Sequence, residues 1–200
     1  MKKFCLCLLI LSGTAIAFPQ NLDIRILRAL NSSQDLPSDN FFRFISDSHG
    51  YFAAAIPLTV GVTGFIKDDD LIKRKALEMS EAIVFDVAVS QALKYIVNRD
   101  RPFISYPDIT RKTGAGDPSF PSGHTSASFA AATTLSLNYP EWYVIVPAFA
   151  WAGTVGYSRM HLGAHYPSDV LGGALIGSAS AVLSHYVNRK LNERHSKPGY

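Results

Sequence analysis

SRMHLGAHYPSDVLGGALIG, residues 158–177, sets an arginine, two histidines and an aspartate directly against a run of small and apolar residues. From about 168 to 187 the chain reads as a helix. Its Gly172, Gly173, Gly177, Ala179 and Ala181 would let a neighbouring helix approach closely, as packing in lipid favours. Working outward, further helical stretches fall at about 123–137 and 142–157, and another at 77–97 carries Glu78, Glu81, Asp86 and Gln91. Tyr51–Ile66 is sixteen residues without a charge. Residues 21–30, apolar at 22, 26, 27 and 30, predict a short amphipathic helix that suits either a membrane surface or the cap of a core. Asn31–Asn40 is turn-rich, and residues 98–123, full of Pro, Gly and Asp, form a loop. No repeat, low-complexity tract or series of strands interrupts this pattern. The expectation is an all-α bundle of about five to six helices.

Whether the bundle crosses a bilayer is decided by charge placement more than by composition. The chain is 48% hydrophobic and 18% charged, with a mean hydropathy of +0.10. Sixteen residues at a rise of about 1.5 Å fall short of a hydrocarbon core of about 30 Å. Asp86 in mid-helix would cost about 2.5–3.5 kcal/mol facing lipid, so it is expected to point into the bundle. Against that, Lys2 and Lys3, the apolar run Phe4–Leu11 and the small-residue site Ala15-Ile16-Ala17 read as an export signal or a first membrane span, residues 1–17. If each later helix crosses once, segments 1–3, 67–75, 138–142 and 188–200 share one side. They hold ten of the nineteen Lys and Arg, as the positive-inside bias prefers. The expectation is a multi-pass inner-membrane bundle, with residues 18–200 as one domain and its loops 98–123 and 158–167 facing the periplasm. A soluble periplasmic domain is the alternative. Cys5 and Cys7 both lie in the first segment, so cleavage would leave no thiol for a disulfide or a metal. The formal charge of +3 is too small to imply a nucleic-acid partner, and the basic residues are scattered with no stripe among them, so no nucleic acid is expected.

Three polar clusters carry the chemistry: Lys94 to Pro102 (KYIVNRDRP), Pro121 to His124 (PSGH), and Ser158 to Asp169. In the expected topology all three open on the same side. Lys94, Arg101 and Arg159 converging on one place would be costly unless an anion joined them, and arginine forks suit phosphate oxygens. Ser122 and Gly123 stand where a helix begins, so backbone N–H groups face the same anion. Asp169 can hold one nitrogen of His165 protonated and leave the other as a nucleophile toward phosphorus. His124 can protonate the departing oxygen. Metal ligation by His124, His165 and Asp169 is disfavoured, because a cation would meet three fixed positive side chains; no cofactor is expected.

These strings resemble the tripartite motif of the type 2 phosphatidic acid phosphatase superfamily, which also includes bacterial class A acid phosphatases and vanadium haloperoxidases. The match spans residues 94–169, the motif core. The resemblance implies His165 as nucleophile, Asp169 as its partner and His124 as general acid. It further implies Lys94, Arg101, Ser122, Gly123 and Arg159 as the phosphate-binding set. The helix order looks like the membrane lipid-phosphatase branch. The implied activity is metal-independent hydrolysis of a phosphomonoester or diphosphate on a lipid, through a phosphohistidine. Candidate substrates are phosphatidic acid, phosphatidylglycerol phosphate, undecaprenyl diphosphate or lipid A, and no obligate protein partner is implied. A soluble class A-like acid phosphatase and, more remotely, a vanadium-dependent haloperoxidase are the alternatives.

Among the other polar residues, His161 could shape the site, whereas His49 and His185 read as structural or interfacial. Arg99 and Asp100 are expected to fold the loop, Asp86 to orient Lys94 along one helix face, and residues 103–120 to shape substrate choice.

Overall fold

The structure, a computed structural model, describes residues 20–195 apart from Asp117. The export segment expected at 1–17, with both cysteines, lies outside the described residues. Among the described residues there are helices and no strands: α1 (Gln20–Leu30), α2 (Asp39–Ile66), α3 (Asp70–Val97), α4 (Pro102–Ser105), α5 (Gly123–Asn138), α6 (Trp142–His161) and α7 (Pro167–His195). The chain is all-α, and six of these helices are longer than two turns.

The helices run further than apolar patterning suggested. Tyr51–Ile66 is only the second half of α2, whose 28 residues at about 1.5 Å each exceed the thickness of a hydrocarbon core. The first half carries Ser46, Asp47, Ser48 and His49, which break a hydropathy window. Ser46 and Ser48 are nevertheless buried, so the polar stripe faces the bundle. Likewise α3 begins at Asp70, because Asp69 caps it: its carboxylate accepts from the N–H groups of Leu71 (2.9 Å) and Ile72 (3.1 Å). At the other end Asn98, at φ 45°, closes the helix in the left-handed conformation.

Helix α5 is the axis of the bundle. Its Ser126, Ser128, Ala130, Ala131, Ala132 and Thr134 are all 0% exposed. Helix α7 lies almost backbone to backbone against it: a Cβ on Gly177 would come within 2.1 Å of the Ser126 carbonyl oxygen, and one on Gly173 within 2.6 Å of that of Ser122. Overpacking at such a contact costs about 1–3 kcal/mol or more. Gly177→Leu is therefore expected to lower the thermal unfolding midpoint in detergent sharply. Gly153→Ala, where a Cβ meets nothing within 4 Å, leaves that midpoint in place. Asp86 does point inward, at 1% exposure. Its partner is Ser126 on α5 (2.5 Å), itself bonded to Ser90 (2.9 Å), so the link it makes is between α3 and α5.

The outer surface is the inverse of this interior. Phe44, Tyr51, Leu58, Phe65 and Ile66 on α2 are each 67–80% exposed. Helix α2 and the Pro167–Leu191 part of α7 are long and apolar enough to cross a membrane. The basic segments gather at one end, where Lys75 bonds the Asn138 carbonyl oxygen (2.9 Å), His185 meets Glu78 (2.6 Å) and Asn188 meets Glu81 (2.7 Å). Helix α1 sits at the opposite end as a core cap. Ile24 and Leu27 pack with Ile109 and Tyr166, while Leu22 and Ile26 of the expected apolar face remain partly exposed.

Candidate active site

Loop 98–123 has little regular structure, so its position depends on side chains that reach it from elsewhere. Asn31 brackets it, donating to the carbonyl oxygens of Thr110 (3.0 Å) and His161 (2.9 Å) and accepting from Thr110 N–H (2.9 Å). Lys112 N–H bonds the Leu162 carbonyl oxygen (3.0 Å). Gly163, at φ 69°, allows that approach; a Cβ there would lie 2.4 Å from the Thr110 carbonyl oxygen. Beneath the loop, the buried Asp39 carboxylate joins Lys112 Nζ (2.8 Å) to His161 Nε2 (2.7 Å). His161 thus anchors the loop to α2.

The three motif clusters meet at this end. Arg101 Nη1 donates to the Ala164 carbonyl oxygen (2.8 Å) and to His165 Nε2 (3.1 Å). Nε2 therefore carries the lone pair, and the ring proton belongs on Nδ1. Nδ1 lies 3.6 Å from Asp169 Oδ2, a loose pairing into which Ser119 intrudes: its hydroxyl is 3.5 Å from Nδ1 and 2.5 Å from the same carboxylate oxygen. Burial, helped by the charges of Arg159 and Arg101, pushes the His165 imidazole down to about 3 against the pull of Asp169. The ring is therefore neutral across the physiological range.

Arg159, 1% exposed, arrives from the last turn of α6 and bonds Ser46 Oγ on α2 (2.5 Å); its Nε has no hydrogen-bond partner. Lys94 ends α3 with its Nζ on the Pro118 carbonyl oxygen (2.7 Å), and a Cβ on Gly123 would meet its Cε at 3.7 Å. Ser122 precedes α5 with its N–H on the Asp169 carbonyl oxygen (3.0 Å). Its hydroxyl pairs with Thr125 Oγ1 (2.9 Å), so the Ser122 side chain holds the turn. The first backbone bond of α5 runs from Ser126 N–H to Ser122, which leaves the N–H groups of 123–125 ahead of the helical ladder. His124, one residue into the helix, stacks on His49 of α2 at 3.7 Å between ring centroids.

Several of these partners lie outside the three motifs. Arg99 spans Asp169 Oδ1 (2.7 Å) and Asp23 Oδ2 of α1 (2.8 Å) with its guanidinium 3.9 Å over the Tyr166 ring, and Asp23 also accepts from both Ser168 N–H and its hydroxyl. Arg99 thus holds the carboxylate beside His165 as well as the loop. Asp23, Asp39, Ser46, Lys112 and Ser119 carried no signal of their own in the sequence. The one available hint was the polar stripe of α2 inside an otherwise apolar helix.

The arrangement can hold a tetrahedral anion among cationic donors beside a neutral imidazole whose Nε2 lone pair faces the Arg101 guanidinium and becomes available when Arg101 turns to the anion. The sequence profile of the PAP2 superfamily matches residues 75–193, which include all three clusters. An undecaprenyl-diphosphatase of Sulfolobus acidocaldarius is 28% identical over 81% of this chain and 76% of its own length. A lipid A 4'-phosphatase of Bacteroides thetaiotaomicron is 32% identical over 48% of this chain, which spans only 43% of that protein. Among solved structures, Aquifex aeolicus LpxE superimposes with a TM-score of 0.71 at 29% identity, covering 82% of this chain and 95% of its own. A transmembrane PAP2-type phosphatidylglycerolphosphate phosphatase from Bacillus subtilis has the same fold (TM-score 0.73, 24% identity, 94% and 95% covered). The chain belongs to the PAP2 superfamily, on the branch of its membrane lipid phosphatases.

Proposed function

We propose that this protein is a multi-pass membrane phosphatase that hydrolyses a lipid phosphomonoester or diphosphate through a phosphohistidine on His165, at the outer face of the membrane. The observation that carries the reading is the Arg101–His165–Arg159 grouping, in which a neutral imidazole presents Nε2 where two buried guanidiniums can grip phosphate. In the reaction, Lys94, Arg101, Arg159 and the first N–H groups of α5 hold the equatorial oxygens. Nε2 of His165 attacks phosphorus, and Asp169 steadies the Nδ1 proton as positive charge grows on the ring. Burial and the neighbouring Arg159 hold the His124 imidazole well below its usual range, and the incoming phosphate charge lets it take up the proton that it gives to the leaving oxygen. Neutral again, His124 accepts the proton of the water molecule that releases phosphate from His165. The cradle is cationic, so no divalent ion is required to neutralise the substrate.

Membrane embedding draws support from the exposed apolar face of α2 and from the grouping of Lys67, Lys73, Arg74, Lys75, Arg189 and Lys190 toward the end opposite the site. The relative aligned over 81% of this chain makes a polyprenyl diphosphate the first substrate to test.

The test uses purified protein in detergent with undecaprenyl diphosphate, phosphatidic acid, phosphatidylglycerol phosphate, lipid A and p-nitrophenyl phosphate. At least one lipid is expected to be turned over about tenfold or more faster, per kcat/KM, than the aryl ester. Activity is expected to survive EDTA and to be inhibited by vanadate. Preference for the soluble ester, together with release of the protein from membranes by carbonate, would overturn the lipid reading. A strict Mg²⁺ requirement would overturn the metal-independent mechanism.

A further inference from the structure

Helix α2 belongs to none of the three motif clusters, yet one of its turns enters the site twice. Ser46 Oγ accepts from the phosphate-binding Arg159 (2.5 Å), and the Ser46 carbonyl oxygen meets His49 Nδ1 (2.9 Å). A carbonyl can only accept, so His49 carries its proton on Nδ1. The ring held in this way lies 3.7 Å from that of His124, at an interplanar angle of 29°. A half-buried imidazole on a helix has several rotamers open to it. Here one hydrogen bond to its own helix selects the rotamer that lays its face on the second histidine of the site.

We infer that His49 is a positioning residue for the general acid: its stacked ring fixes the plane of His124, and so the direction in which that residue delivers its proton. His124 is only one residue inside α5, where no preceding turn restrains the side chain, and α5 supplies it with no ring neighbour. The restraint comes from α2. Ser46 makes the same turn of α2 support Arg159, so the grip on phosphate and the aim of the acid are set by a single element. This inference rests on the proposed role of His124.

Proton delivery matters for an alkoxide leaving group and little for a nitrophenolate, which departs without one. The experiment compares phosphatidic acid with p-nitrophenyl phosphate for wild type, His49→Ala, His49→Phe and His124→Ala, with thermal melts in detergent to confirm folding. His49→Ala is expected to lower kcat on phosphatidic acid about 10- to 100-fold, and at least tenfold more than on the aryl ester. His49→Phe, which restores a flat ring without a titratable nitrogen, is expected to recover most of that loss. Equal losses on both esters, no loss on either, or failure of Phe to rescue would each overturn the inference while leaving His124 as the acid. If His124→Ala itself shows no dependence on the leaving group, the acid assignment falls first and this inference falls with it.

Discussion

His165→Ala is expected to abolish turnover on every substrate, lowering kcat by about 10⁴-fold or more, because on the proposed mechanism it removes the atom that bonds to phosphorus. The loss is large on that mechanism because no remaining group can replace the nucleophile. Lys94, Arg101 and Arg159 can stabilise charge, but as cations none offers a lone pair to phosphorus. The side chain is 1% exposed and accepts a bond from Arg101, so some stability goes with it, about 1–3 kcal/mol. A melt in detergent measures that separately from activity. Acid-labile, alkali-stable phosphate on protein quenched during turnover is expected in wild type and absent from the variant. Retention of more than about 1% of wild-type kcat, or persistence of the label in the variant, would place the covalent step elsewhere.

The helices and the motif residues could be read from the chain for different reasons than the scaffold around them. Small residues on α7 announced close packing, and Gly173 and Gly177 do touch the α5 backbone. Helix ends were harder to see: α2 and α3 begin in polar sequence, where burial of Ser46 and capping by Asp69 depend on neighbours that periodicity does not contain. In the site, the residues of the three clusters were identifiable because their types and spacing are distinctive. Their supports were not. Asp39 reaches Lys112 across 73 positions, Ser46 reaches Arg159 across 113, and Asp23 reaches Ser168 across 145. Such pairs are ordinary residues until the fold brings them together. For Arg99 and His49 the sequence supports only looser structural roles for the same reason: the contact that defines each, Asp169 or the His124 ring, lies on an element distant in the chain.

Asp169→Asn tests that scaffold where it meets the chemistry, and it is expected to lower kcat about 10²- to 10⁴-fold with little change in KM. The carboxylate is fully buried and acts only as an acceptor. It takes Ser119 Oγ and Tyr166 N–H on Oδ2, takes Arg99 on Oδ1, and faces His165 Nδ1. An amide cannot satisfy all of these. With its oxygen toward Ser119, its NH₂ meets the Arg99 guanidinium, donor against donor. With the amide reversed, the NH₂ confronts Tyr166 N–H and the Nδ1 proton, and the ring is driven toward the tautomer that puts hydrogen on the nucleophilic Nε2. Either way the negative charge that would steady a developing phosphohistidinium is gone, which is why the loss is to fall on kcat. The ion pair with Arg99 goes too, and Arg99 is 28% exposed, so about 3 kcal/mol of stability is the upper range to expect from a melt. Single-turnover measurements with labelled substrate separate the two effects: the folded fraction of the variant is expected to bind substrate and form its phosphohistidine slowly. If that step ran within tenfold of wild type, the Asp169 carboxylate would be a structural anchor alone, and the tautomer of His165 would have to be held by Ser119.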